Sequence, residues 1–206
     1  MKECIILAGG LGTRLQSVVK DVPKCMADVA GEPFLYHLFN YVNREAFGHV
    51  ILSLGYKADV VLEWLENKTL PFQISYVKED EPLGTGGAIK LAFGQVFGES
   101  AYVVNGDTFF DINSDALLDF HIQKNASISL ALKPMVDFDR YGSVELSEKE
   151  RITRFNEKKY CNEGLINGGV YLINKQVFSS FNLPEKFSFE KDIMEAHLQD
   201  IEIYGQ

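Results

Sequence analysis

The chain has little cysteine and none of it is arranged to staple a fold or bind zinc. Cys4, Cys25 and Cys161 are odd in number and show no C-x-x-C spacing, which excludes a disulfide framework and fits unpaired thiols in a reducing compartment. Cys25 is read as a small packed residue. No apolar run reaches the ~18 residues of a membrane span, so no membrane partner is expected. The first residues, Met1 to Cys4, pass straight into an apolar stretch without a secretory core, so the expected location is cytoplasmic. Positive charge is scarce: 20 Lys and Arg stand against 29 Asp and Glu, a net charge of −9, which argues against nucleic acid as a partner. Only four histidines occur. His37, His49, His121 and His197 lie apart, and no Ser-His-Asp or Cys-His arrangement suggests covalent catalysis. His37, within an apolar helical pattern, is read as a satisfied interior residue. Linkers, repeats and low-complexity stretches are missing as well.

What is present is an alternation of strand and helix patterns. With 206 residues, 46% of them hydrophobic, one domain with one substantial core is expected. Residues 4–8 form a continuous apolar run suited to burial on both faces. Helical spacing follows over 33–47, with Pro33 at its start, and again over 58–65, 88–97 and 116–123. The last is capped by Asn113, Ser114 or Asp115. Strands are expected at 50–52, 72–77, 101–104 and 128–133. Strands alternating with helices predict an α/β fold, a Rossmann-like three-layer αβα arrangement with a mixed, mainly parallel central sheet. From about Gly142 the texture changes to strands, at 142–146, 152–155 and 165–173, with few helices between them.

Residues 7–24 read LAGGLGTRLQSVVKDVPK. Gly9, Gly10 and Gly12 let the backbone turn sharply after a strand and bring its N–H groups close to a polyanion. Arg14 can donate two parallel hydrogen bonds to phosphate oxygens, and Lys24 adds a mobile point charge. No Lys-Ser or Lys-Thr follows the glycines, so this is not a Walker A loop, and the spacing misses G-x-G-x-x-G. In an open parallel sheet, ligands sit at the carboxyl ends of strands, where both this loop and Asn105-Gly106-Asp107 fall. An acidic chain that binds a triphosphate is expected to recruit a divalent ion. Asp107, a carboxylate at a strand end beside the phosphate cradle, suits Mg²⁺.

The run L-A-G-G-x-G-T-R-L followed by P-K resembles the signature of the sugar-1-phosphate nucleotidyltransferases, the NDP-sugar pyrophosphorylases, and the resemblance extends along almost the whole chain. It implies the nucleotide-diphospho-sugar transferase fold. Residues 1–133 would be the nucleotide-binding half and 134–206 the sugar-phosphate-binding half of a single domain 1–206. It also implies that Leu7, Ala8, Gly9, Gly10, Gly12, Thr13, Arg14, Lys24, Asn105 and Asp107 bind nucleotide, with Arg14, Lys24 and Asp107 catalytic. Asp107 would bind the metal, with Asp111 a second contact. In family members that read thymine or uracil, a glutamine aligns with Glu79. The acidic segment around E-x-E-P-L-G-T-x-G resembles the guanylyl branch, because one carboxylate can accept from both N1–H and the 2-amino group of guanine. Glu79 is therefore assigned the base edge, with Gly84 and Thr85 lining the pocket and Glu81 as the alternative. Glu157-Lys158 and GLINGGVY resemble the sugar-phosphate block: Lys158 for the phosphate, Glu157 and Asn167 for sugar hydroxyls, Gly142 for close approach to the ring. Ser188 is read as a helix cap and Glu190 as a supporting residue.

The stretches NGDTFFDI, DFDRYG, GLINGGVYL and EKFSFE resemble the D-glycero-α-D-manno-heptose 1-phosphate guanylyltransferases, with Asp137, Asp139 and Arg140 candidates for the exocyclic end of the sugar. The expected partners are GTP and a sugar 1-phosphate. The expected reaction is Mg²⁺-dependent in-line transfer of GMP, supplying GDP-heptose for capsule or surface glycans. Mannose 1-phosphate transfer is the first alternative and a non-catalytic nucleotide-sugar sensor the second. The family usually carries a further metal-binding Asp near its C-terminus, in F-x-D-I-G-x-P; none stands here, so the family's C-terminal segment is expected to be missing. A homo-oligomer is compatible with all of these expectations.

Overall fold

The computed structural model describes residues 1–10 and 22–206. Gly12, Thr13 and Arg14 lie outside the described residues. The strands are β1 Glu3–Leu7, β2 Asp28–Val29, β3 Glu32–Pro33, β4 His49–Leu54, β5 Gln73–Lys78, β6 Ser100–Asn105, β7 Ile128–Phe138, β8 Ser143–Leu146, β9 Ile152–Phe155, β10 Cys161–Asn174 and β11 Ile203–Gly205. The helices are α1 Phe34–Arg44, α2 Ala58–Glu66, α3 Gly84–Ala92 and α4 Ser114–Lys124.

Nine strands form one sheet whose main order is β11-β7-β10-β6-β1-β4-β5, with β8 and β9 added beside β10. β1 runs parallel to β4 and β6, and β4 parallel to β5. β10 is antiparallel to both β6 and β7. The sheet is therefore mixed, as expected, with its parallel part built by the first half of the chain.

Successive side chains of a strand point to opposite faces, and the core divides accordingly. Ile5, Ile51 and Val103 pack on one face with Ile89 and Phe93 of the α3 region and with Phe189 and Ile193. Cys4, Ile6, Val50, Leu52 and Val104 face the other way, against Leu35, Phe39 and Val42 of α1, Val61 of α2 and Leu117 of α4. Helices thus cover both faces, giving the three layers. Cys25 is buried and its thiol is pushed up to about 12 by that burial, with Asp107 adding to the effect, so it is packed and inert.

The structure corrects some element bounds. α3 begins at Gly84, four residues before the expected start, because Gly84-Thr85-Gly86-Gly87 is the first turn of the helix and not a loop before it. His37 is half-buried on the surface of α1 and pairs through Nε2 with Val29 O at 2.9 Å. It is satisfied, but not interior. α4 is capped by Asn113, whose side chain accepts from Ala116 N–H at 3.0 Å.

At the amino ends of β1 and β4 lies a buried polar chain. The Glu3 carboxylate accepts from His49 Nδ1 at 2.7 Å and from the backbone N–H groups of Phe97 and Gly98 at 3.1 and 2.7 Å. His49 Nε2 meets Ser75 Oγ at 2.9 Å, and its ring stacks on Phe97. Burial pushes the Glu3 carboxyl up, but the three donors outweigh it and hold the group below the ordinary range. A depressed carboxyl contributes stability above its unfolded pKa and loses it as pH falls through the folded value. Glu3→Ala should therefore cost about 3 kcal/mol at neutral pH, because it takes the acceptor from three buried donors. The deficit should shrink on acidification, as checked by urea unfolding across pH.

Candidate active site

Because β1 is apolar on both faces it sits mid-sheet, and the chain leaving its carboxyl end emerges where the winding order changes side. From β1 the path builds β4 and β5 on one flank, then returns to place β6 on the other. That reversal opens a crevice at the strand ends. A cleft of about 290 Å³ lies there, lined by Leu7 at the end of β1, Gly9 and Gly10 after it, Ser53 in β4, Glu79 after β5, Gly84, Thr85 and Ala88 of α3, Pro82, and Asn105 and Asp107 at the end of β6.

Eight residues expected to bind nucleotide thus meet in one cavity: Leu7, Gly9, Gly10, Glu79, Gly84, Thr85, Asn105 and Asp107. Ala8 is buried beside them, its N–H donating to Ser53 O at 2.8 Å. Gly9 is required by close approach. A side chain there would begin 2.7 Å from Glu79 Oε1 and 3.2 Å from Gly55 N. The bare backbone of the first turn therefore lies directly against the carboxylate.

Glu79 is held by the N–H of Leu83, which donates to Oε2 at 2.9 Å. Burial raises its pKa, and the Leu83 N–H and the neighbouring Ser53 hydroxyl offset only part of that. Ser53 itself is fully buried in the cleft wall, and its hydroxyl makes no well-formed hydrogen bond among the described residues. The sequence alone does not single it out. The available signal is a polar residue interrupting the apolar run of β4. Glu81, the alternative for the base edge, is exposed and does not line the cleft.

Lys24 sits at the start of a short 3₁₀ turn, Lys24–Met26, after Pro23. Its ammonium is ion-paired with the Asp107 carboxylate, which also accepts from Thr108 Oγ1 at 3.1 Å. Both side chains are partly exposed, so the pair is reachable from solvent. Asp111, expected as a further metal contact, is instead paired with Arg44 in a separate cleft shared with Glu45, Asn113 and Asp115. Arg44 on α1 thus shares that carboxylate in an exposed ion pair. Among the described residues no group of three or more His, Cys, Asp or Glu could hold a metal unaided. The donor set fits an ion held by one carboxylate with the remaining ligands drawn from phosphate and water, a usual arrangement for Mg²⁺.

The sugar-phosphate candidates fall outside the cleft lining, on its β10 side. Gly142 packs so tightly on the loop after β9 that a side chain would begin 2.3 Å from Asn156 O. That contact sets it beside Glu157 and Lys158, both exposed. Asn167 lies at a bulge of β10, where the register against β7 shifts between Asn167 and Tyr171. Its Oδ1 accepts from Gly169 N–H at 2.9 Å and its Nδ2 donates to Tyr171 OH at 2.8 Å. Gly169 (φ +75°) abuts Asn105, to whose Nδ2 a Cβ would come within 2.7 Å. The two groups of residues therefore adjoin at Asn105. Asp137 accepts from Tyr160 OH at 3.0 Å, and Asp139 and Arg140 are exposed in the turn that follows β7.

Comparison with known proteins accords with this geometry. The chain is 46% identical over 203 residues to the D-glycero-α-D-manno-heptose 1-phosphate guanylyltransferase of Aneurinibacillus thermoaerophilus, covering 98% of this chain and 88% of that protein. It is 48% identical over 195 residues to the protein of that name from Campylobacter jejuni, covering 95% and 86%. Among solved structures, HddC from Yersinia pseudotuberculosis superposes with a TM-score of 0.88 at 34% identity, over 100% of this chain and 90% of that one. HddC has also been solved complexed with GMP-PN, at a TM-score of 0.86 and 33% identity, over 100% and 91%. The sheet and its flanking helices are those of the nucleotide-diphospho-sugar transferase fold. The nucleotidyl transferase family model matches residues 3–205, and the chain belongs to that family.

Proposed function

We propose that the chain transfers GMP from GTP to D-glycero-α-D-manno-heptose 1-phosphate, giving GDP-heptose and pyrophosphate for bacterial capsule or surface glycans, in the cytoplasm. The observation that carries this reading is the cleft itself, in which a half-buried carboxylate, Glu79, faces a glycine turn, while Asp107, paired with Lys24, lines the same cavity. The names of the relatives support the acceptor, and the neighbour complexed with GMP-PN supports a guanine nucleotide.

In this reading Glu79 accepts from N1–H and the 2-amino group of guanine, and Gly84 and Thr85 border the base. Gly9 and Gly10 bring backbone N–H groups to the triphosphate, and Gly12, Thr13 and Arg14 are further nucleotide-binding residues. Arg14 holds the departing β- and γ-phosphates, and Lys24 leaves Asp107 to meet the α-phosphate as charge builds there. Residues 134–206 hold the acceptor, with Lys158 on its phosphate, Glu157 and Asn167 on ring hydroxyls, and Gly142 under the ring. A phosphate oxygen of the acceptor attacks the α-phosphorus. The bond from that phosphorus to the bridging oxygen of the β-phosphate breaks, and pyrophosphate leaves with the electron pair. The acceptor phosphate is ionised at neutral pH, so no general base is needed. Positioning and charge neutralisation carry the reaction. Asp107 would hold Mg²⁺, which when bound supplies neutralisation of the phosphate oxygens.

Pyrophosphate release from a panel of sugar 1-phosphates against GTP, CTP and UTP should be fastest for GTP with the heptose. Preference for mannose 1-phosphate would overturn the acceptor, preference for another base the nucleotide, and no release at all the enzymatic reading. Asp107→Asn and Lys24→Met should each lower kcat about 10²–10³-fold, the effect of removing one group aimed at transition-state charge, with the melting temperature little changed. Glu79→Gln replaces one of two acceptors by a donor and should raise the KM for GTP at least about tenfold. Because the Glu79 carboxyl is raised, wild-type affinity for GTP should weaken on acidification from above the ordinary carboxylate range, whereas the Gln variant should be flat there.

A further inference from the structure

Segment 185–190 lies across the first turn of α3, although about a hundred residues separate them. Phe187 N–H donates to Leu83 O at 3.0 Å and Gly86 N–H to Phe187 O at 3.0 Å. A side chain at Gly84 would begin 2.5 Å from Phe187 O. This short ladder ends at Glu190, half-buried and shared between two sites. Its Oε2 accepts from Thr85 Oγ1 at 2.7 Å and Ser188 Oγ at 3.1 Å, and its Oε1 faces Tyr171 OH at 3.4 Å. Tyr171 OH in turn accepts from Asn167 Nδ2 at 2.8 Å.

The direction of this chain of hydrogen bonds is fixed. Thr85 Oγ1 already accepts the N–H of Phe189 at 2.9 Å, so its single proton goes to the carboxylate. The Tyr171 phenol is held neutral, since burial and the nearby Glu190 both raise its pKa, and its proton also points to Glu190. A carboxylate can terminate both branches because it only accepts. Helix capping does not explain Glu190. The π-helical turn Phe189–Glu195 is capped by Ser188, whose Oγ accepts from Lys191 N–H at 3.2 Å, while Asp192 Oδ2 takes Ser188 N–H at 2.7 Å.

We infer that Glu190 is a positioning residue that sets the two substrate sites in register. It orients Thr85 at the wall of the nucleotide cleft and, through Tyr171, holds one N–H of the Asn167 amide, so that the second N–H and the second lone pair of Oδ1 are presented to the acceptor in a fixed orientation. The inference rests on the guanylyltransferase reading. Glu190→Gln brings an N–H donor that must oppose the hydroxyl proton of Thr85 or of Tyr171, whereas Tyr171→Phe cuts the Asn167 branch alone.

Steady-state kinetics of the full chain with GTP and the heptose 1-phosphate test it, beside melting temperatures of the unliganded proteins. Tyr171→Phe should raise the KM for the sugar phosphate about tenfold, the scale of a hydrogen bond to a charged group lost from a relay, with the KM for GTP unchanged. Glu190→Gln should raise both, and the double variant should show no further rise for the sugar phosphate, because both changes break one chain. Glu190→Asp should recover part of the GTP effect. Both KM values unchanged in Glu190→Gln, or a lowered melting temperature as the sole effect, would overturn the inference and leave the proposed function standing. An inactive wild type would overturn both.

Discussion

Everything at the site depends on β1 being apolar on both faces. A strand of that kind is stable only when neighbours flank it and helices cover it above and below, so it takes the middle of the parallel part of the sheet. The turn that leaves it then has to sit over the gap between β4 and β6. There Gly9 lies against Glu79 and Gly55, and Gly106 N–H donates to Leu7 O at 2.9 Å. Burial thus decides where the polar residues of the cleft converge.

The second dependence is on charge. The chain is acidic overall, yet the proposed reaction requires it to hold a polyanion. Lys24 reaches the cleft from a turn pinned by Pro23 and rests on Asp107, so neither charge is left bare. The separate pairing of Arg44 with Asp111 keeps a second carboxylate occupied in a neighbouring cleft.

Much of the fold is legible in the sequence because it depends on neighbours in the chain. The apolar run of β1, the helical spacing of α1 and α2, the Asn113 cap and the strand-end position of Asp107 are local patterns, and each locates its element to within a few residues. The limits of local patterns show at α3. Its glycines resemble a loop, but the turn is helical because segment 185–189 packs so closely on it that larger side chains would collide. Strand β11 leaves no trace in the sequence, since three residues give no period, and it forms by pairing in parallel with β7. Ser53 and the contacts of Glu190 belong to the same class. Their surroundings come from distant parts of the chain, and at most a polar residue within an apolar run, as at Ser53, hints at them. The pairing of Asp111 with Arg44 is of the same kind, since its partner comes from a helix far away in the sequence.

The bulge in β10 has a mechanical consequence. Over its 14 residues this strand pairs with β7 along nearly its whole length, with β6 at its carboxyl end and, through Leu165 and Ile166, with β8 nearer its amino end, so it joins the inner sheet to the outer ladder. A bulge is where such a strand bends most readily, because part of its ladder is unpaired. Here that weak point is bracketed by Asn167 and Tyr171, and Gly169 within it touches Asn105. Any flexing of the outer strands is therefore concentrated at the seam where the two groups of binding residues adjoin, and a small tilt of the ladder becomes a change in the spacing between them.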